Sequence, residues 1–218
     1  KNFEVNEETR LGSRKFVFSR SREVSDLGGQ KSVEIRYQMR NGVDKRLSPA
    51  LDLELGNFCA TENIINNDTA GETQPFGGSG DARYITKTVE LADGQDAEDI
   101  RVILDGYKPI TGDIHVYYKI QHADDEDELA VDVNYTKMVQ NTVSTLYSSS
   151  DNRDDFKEYE YTPPSGVMTG INNTVQYTNS DGVTFSGFKK FAVKILLTTT
   201  DRSNPPRVRD LRVLALQR

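Results

Sequence analysis

Apolar residues return at every second position in run after run along this chain. That period of two is the strongest constraint on its fold, because it belongs to strands that bury one face. "KFVFSR" alternates at Phe16 and Phe18, and "SVEIRYQM" sets Val33, Ile35, Tyr37 and Met39 on one face. "SPALDLEL" does the same with Leu51, Leu53 and Leu55, and "YITKTVEL" alternates through Tyr84, Thr86 and Thr88, with Ile85, Val89 and Leu91 opposite or near the strand end. Ile100, Val102 and Leu104 are in phase, as are Ile114, Val116, Tyr118 and Ile120. "FKEYEYT" carries Phe156, then Tyr159 and Tyr161. "KFAVKILLTTT" aligns Phe191, Val193, Ile195 and Leu197, and the closing run aligns Leu211, Val213 and Ala215.

Turn residues separate these runs: Gly28-Gly29, Asn41-Gly42, Gly77-Gly78-Ser79-Gly80, Asp93-Gly94, Thr111-Gly112, Pro163-Pro164 and Asp181-Gly182. No amphipathic helix of useful length intervenes. Many short strands with frequent turns predict an all-β fold: an antiparallel β-sandwich, jelly-roll-like, with long loops and little helix. Residues 23–218 are expected to form one sandwich domain. Residues 1–22 are a polar segment that reads as the end of an upstream module. Residues 66–81 and 142–155 read as long mobile loops, with "GGSG" a flexible linker. The pair around Val33 and Leu53 shares its grammar and its twenty-residue spacing with the pair around Phe191 and Leu211; convergent strand–turn–strand patterning is the plainer reading, and two related edges of one sandwich the alternative.

With 218 residues the chain is long enough to bury a sizeable core. Its net charge is −7 and its pI about 5.0, so it repels phosphate backbones and anionic bilayers. No nucleic-acid partner and no membrane insertion are expected, since no apolar run nears the ~20 residues of a membrane span. The one cysteine, Cys59, cannot form an internal disulfide and reads as a small buried hydrophobe. The sequence starts at Lys1 without Met, which reads as a fragment or processed product.

The place that invites chemistry is "DIHVYYKIQHADDEDE", residues 113–128. It holds both histidines, His115 and His122, and the acids Asp124, Asp125, Glu126, Asp127 and Glu128. A spacing of seven points the two rings to opposite faces of a strand, about 20 Å apart, so they do not share a metal. His115 lies with Tyr117 and Lys119 on the face away from the apolar row, expected to meet solvent or an interface. The five carboxylates repel one another and suit a solvated loop. Neither this run nor "ADGQDAED" has the calcium-loop spacing. Glycosidase carboxylates, a nucleophile elbow, a phosphate loop and a zinc-protease motif are not signalled. Tyr107, Tyr117, Tyr118, Tyr135, Tyr147, Tyr159, Tyr161 and Tyr177 could build a sugar-stacking platform, but packing and interface roles are the plainer reading. Chance accounts for the sequons at Asn67, Asn134 and Asn172. No catalytic, cofactor-binding or metal-binding residue is assigned.

"SPALDL" (residues 48–53), "ARYITKTVELADGQDAEDIRVILDGYKP" (82–109), "DIHVYYKI" (113–120) and "PRVRDLRVLAL" (206–216) resemble a β-rich module of virion structural proteins from contractile-tailed bacteriophages, the myoviruses, marine ones included. The likeness covers roughly residues 13–217. It implies a non-catalytic structural module of a tail or baseplate protein, one part of a longer polypeptide assembled into virions in the bacterial host cytoplasm. Its partners would be other virion proteins or copies of itself, and it would need no cofactor. The alternative is a carbohydrate-binding, host-adhesion sandwich that takes a surface glycan. A hydrolase would need a nucleophile–base set that the sequence does not supply.

Overall fold

The computed structural model describes residues 63–217 except 142–145, 150, 151, 153 and 203. These lie in a compact unit running from Phe58 to Arg218. The strands expected near Phe16, over 33–39 and over 51–55, together with Cys59 and the boundary at residue 22, fall outside the described residues.

The fold is all-β with antiparallel sheets, as the alternation predicts. The strands are β1 (Ala82–Ile85), β2 (Val89–Glu90), β3 (Asp99–Tyr107), β4 (Gly112–Gln121), β5 (Thr136–Lys137) and β6 (Val139–Gln140). They continue with β7 (Lys157–Thr162), β8 (Gln176–Thr178), β9 (Thr184–Ser186), β10 (Lys190–Thr199) and β11 (Arg207–Leu216). Two 3₁₀ turns, Ser165–Val167 and Ile171–Asn173, are the helical elements among the described residues.

One sheet runs β1-β10-β4-β5, with β2 continuing the β1 edge on β10; the other runs β11-β3-β7-β6; β8 and β9 form a separate hairpin. Consecutive strands often lie in different sheets. β3 and β4 are joined over 108–111 yet belong to opposite layers, and so do β10 and β11. The ladders therefore join distant segments: β10 pairs β4 from Lys190↔Gln121 to Thr199↔Gly112, and β11 pairs β3 from Arg207↔Tyr107 to Leu216↔Asp99. The β11 ladder slips between Val208 and Asp210, a bulge that makes Arg209 the extra residue.

The alternating rows meet between the sheets. Ile100, Val102, Leu104, Tyr159 and Tyr161 of one sheet pack on Ile114, Val116, Tyr118, Ile120, Phe191, Val193 and Ile195 of the other, all at most 5% exposed. The Tyr161 hydroxyl donates to the Ile114 carbonyl at 2.9 Å, so this buried polar tip is satisfied across the layers.

The two long sides of the sandwich differ. On one, the chain passes from β5 in the first sheet to β6 in the second through buried Met138, whose N–H donates to the Val116 carbonyl at 2.8 Å. That corner closes the side. On the other, β1 with β2 and β11 are sheet edges among the described residues.

Truncating Leu104, which is fully buried, to Ala should cost about 2–5 kcal/mol. Ile103→Ala, on the half-buried outer face of the same strand, should cost clearly less. Urea unfolding of the two variants checks this.

Candidate functional site

The face of β4 and β10 away from the core does not meet solvent, and this corrects the expectation for Tyr117, Lys119 and His115. Tyr117, Lys119, Gln121, Ala192, Lys194, Leu196 and Thr198 on that face are all at most 5% exposed. Their cover comes from the segments around residues 66–81 and 129–135. Tyr135 donates its N–H to the Thr73 carbonyl at 2.7 Å, tying the two segments together. Its ring packs with Tyr117 and Leu196.

The polar atoms of this layer are matched closely. Glu72 is 1% exposed and pairs with Lys194 at 3.0 Å and Arg83 at 3.6 Å. Lys194 also donates to the Glu72 carbonyl, and its ammonium lies 4.2 Å from the Tyr135 ring centre and 5.1 Å from that of Tyr117. Lys119 lies over Tyr135 at 4.7 Å and donates to the Ala130 carbonyl at 3.1 Å. Burial pulls the Lys194 ammonium below its ordinary pKa, while the Glu72 carboxylate pulls the other way. Lys119 is lowered by burial and by the neighbouring Lys194 charge.

The "GGSG" stretch closes this layer and is not a free linker. The Gly80 N–H donates to Glu72 Oε1 at 2.9 Å, and Ser79 N–H donates to the Ala70 carbonyl at 3.0 Å. Gly78 has φ +94°, and a Cβ there would stand 2.2 Å from Glu72 Oε1. Glycine is required by both conformation and space.

His115 sits at the other end of β4 with its ring mostly covered. Its Nε2 lies 3.2 Å from Thr198 Oγ1, and its Nδ1 lies 3.9 Å from Asp113 Oδ2. Lys108 bonds Asp113 Oδ1 at 2.9 Å and Gln140 Oε1 at 3.0 Å. Burial would raise the Asp113 pKa, but the hydrogen bond and charge of Lys108 prevail and hold it below the ordinary carboxylate value. Burial lowers the His115 pKa; Asp113 opposes this, and Lys137 and Lys108 add to it.

The acidic run is only partly solvated, a second correction. Asp124, Glu126 and Glu128 are exposed, but Asp125 is 7% exposed and Asp127 is half-buried. Asp125 accepts from the Tyr177 hydroxyl at 2.6 Å and from Asn179 Nδ2 at 3.1 Å. Asp127 accepts from the Ser180 hydroxyl and N–H at 2.6 and 2.8 Å. These bonds dock the β8–β9 hairpin onto the end of β4. Burial would raise the Asp125 pKa, but the bonds from Tyr177 and Asn179 prevail and keep it low. Burial, with Asp125 as partner, pushes the Tyr177 hydroxyl up. His122 stacks on Phe185 with centroids 5.2 Å apart, and Phe185 stacks on Tyr177 at 5.8 Å.

Beside the hairpin lies an open groove of about 430 Å³, whose polar lining includes Asp127, Asp132, Asn134, Gln176, Asn179 and Ser180. The eight tyrosines do not form a stacking platform on it: Tyr107, Tyr117, Tyr118, Tyr135, Tyr159 and Tyr161 are buried. The three sequon asparagines, Asn67, Asn134 and Asn172, are exposed. Among the described residues, His, Cys, Asp and Glu do not converge in threes as a metal site, and no helix is long and apolar enough to cross a membrane. Compared with family models, with curated proteins and with solved structures, the chain matches none.

Two outcomes follow from this geometry. Lys194→Met leaves the buried Glu72 carboxylate with Arg83 as its one remaining cation among the described residues, beside the Gly80 N–H, and should cost about 3–5 kcal/mol in chemical denaturation. Adding Glu72→Gln removes the stranded charge, so the double variant should be the more stable of the two. His115, whose folded pKa lies below its ordinary 6.5, is protonated more readily in the unfolded chain. Its contribution is full above pH 6.5 and is lost as pH falls from there through the folded pKa. Melting temperatures at pH 7.5 and 5 should differ less for His115→Gln than for the wild type.

Proposed function

We propose that this chain is a non-catalytic structural module of a bacteriophage tail or baseplate protein, acting through protein–protein contacts. The observation that carries the reading is the open side of the sandwich. Tyr84 pairs with Ile195 and Val89 with Phe191, so both lie on the core-facing side of their sheet, yet they are 59% and 41% exposed. Apolar side chains left uncovered at a sheet edge are unfavourable in an isolated domain and are covered when a neighbour packs there. The resemblance of residues 82–120 and 206–216 to myovirus virion proteins points to the same kind of assembly. Other virion proteins or copies of the chain would be the neighbours, and the virion would be its location.

The groove beside the β8–β9 hairpin favours a second reading, a host-adhesion module that binds a surface glycan. Its amide and carboxylate lining is the chemistry that sugar hydroxyls require, and its volume falls in the range of small-ligand sites.

Mass spectrometry of purified particles of the encoding phage should detect the chain at a fixed ratio to the other tail proteins. Its absence from particles that carry complete tails would refute the structural role. Saturable binding of one sugar class on a glycan array, abolished by Asn134→Ala, would establish the second reading.

A further inference from the structure

We infer that β11 pairs antiparallel with β11 of a second copy of this chain, across a two-fold axis at Leu211. The inference deepens the assembly reading above, on which it rests, by naming the partner.

β11 is ten residues long and has a strand neighbour on one side only among the described residues. The backbone groups on its free side are a template for another strand. Leu211, Val213 and Ala215 face the core opposite Leu104, Val102 and Ile100, but those three partners are fully buried while the β11 row is only half-buried. The inner row of this edge is short of cover, as Tyr84 and Val89 are on the matching edge of the other sheet.

The sequence of β11 chooses its own occupant. A strand meeting its copy about a two-fold axis perpendicular to the sheet keeps its faces, so facing residues share parity. With Leu211 on the axis, Asp210 stands opposite the second copy's Arg212, and the same pair repeats by symmetry. Centring on Asp210 or on Arg212 would instead set like charges face to face, which is destabilising. The bulge that makes Arg209 the extra residue brings Val208 into line with the second copy's Val213, so the inner row reads valine, leucine, valine across the axis. Arg212 reaches inward over β3 to Glu158 at 2.6 Å and lies 3.6 Å from its own Asp210, but the Arg212 and Asp210 side chains are 53% and 59% exposed, so both are free to turn toward a second copy at the edge. The same axis turns the two β1–β2 edges toward each other in the second layer, covering Tyr84 and Val89.

Sedimentation of the full chain over a concentration series should show a monomer–dimer equilibrium. Asp210→Arg or Arg212→Asp alone should weaken the dimer on the order of tenfold, because two attractions become two repulsions. The double variant D210R/R212D should regain most of that loss, with circular dichroism showing all three folded. With Cys59 replaced by Ser, Leu211→Cys should form a disulfide-linked dimer on mild oxidation, and Ile103→Cys should not. A wild type that stays monomeric to its solubility limit overturns the inference, and so does a dimer indifferent to the charge swaps. A monomeric chain present in particles would remove the self-pairing and keep the assembly role; a dimeric chain missing from particles would do the reverse.

Discussion

Ten residues of β10 lie against ten of β4 with both faces of most of the ladder away from water, and the rest of the fold is arranged around that fact. Antiparallel sheets usually leave one face to solvent. Here one face takes the second sheet, and the other takes the segments around Glu72 and Tyr135. The second face carries Lys119 and Lys194, so it closes only if their charges are met. Glu72 reaches in from the turn-rich segment, two tyrosine rings supply their faces, and main-chain carbonyls accept the remaining protons. Paired charges of this kind add little net stability over an apolar packing, but removing one partner is costly. The Glu72 segment is thereby fixed to the sheet by chemistry.

The core was legible in the sequence because burial and side-chain parity are one signal. The in-phase rows of β3, β4, β7 and β10 all line the space between the sheets, with Leu197 alone among them only partly buried. The covered second face was less legible. Its signal was present in "FAVKILL", a nearly unbroken apolar run typical of strands buried on both sides, and its one lysine, Lys194, disguised it. Partner choice was not legible at all. A four-residue link such as 108–111 serves a hairpin or an arch between layers, and alternation is the same in either. The docking of the acidic run on β8–β9 was hidden for a similar reason, since Asp125 meets Tyr177 and Asn179 more than fifty positions away.

Closure and opening divide the molecule along its length. On the β5–β6 side the chain itself bridges the layers and Met138 fills the gap. On the opposite side the two edges carry rows that continue the core but run out of cover among the described residues. Such asymmetry is poor design for a protein that acts alone, because edges and apolar rows are usually blunted or hidden. It leaves contacts there for residues beyond the described ones, in this chain or in a neighbour.

The same accounting ranks the two functional readings. The groove beside the hairpin is polar, but much of its polarity is already used. Thr169 donates to Gln176 at 2.6 Å, Gln176 donates to Ser186 at 2.7 Å, Asp127 is taken by Ser180, and Asp132 accepts from the Glu128 N–H at 2.8 Å. A sugar hydroxyl entering there would exchange one protein hydrogen bond for another, with a net gain near zero. Among the described residues, the uncovered rows at Tyr84, Val89 and β11 have no such competitor. Removing apolar surface from water yields about 25 cal/mol per Å², so the open side has the larger driving force, and assembly is the reading that the physical terms favour.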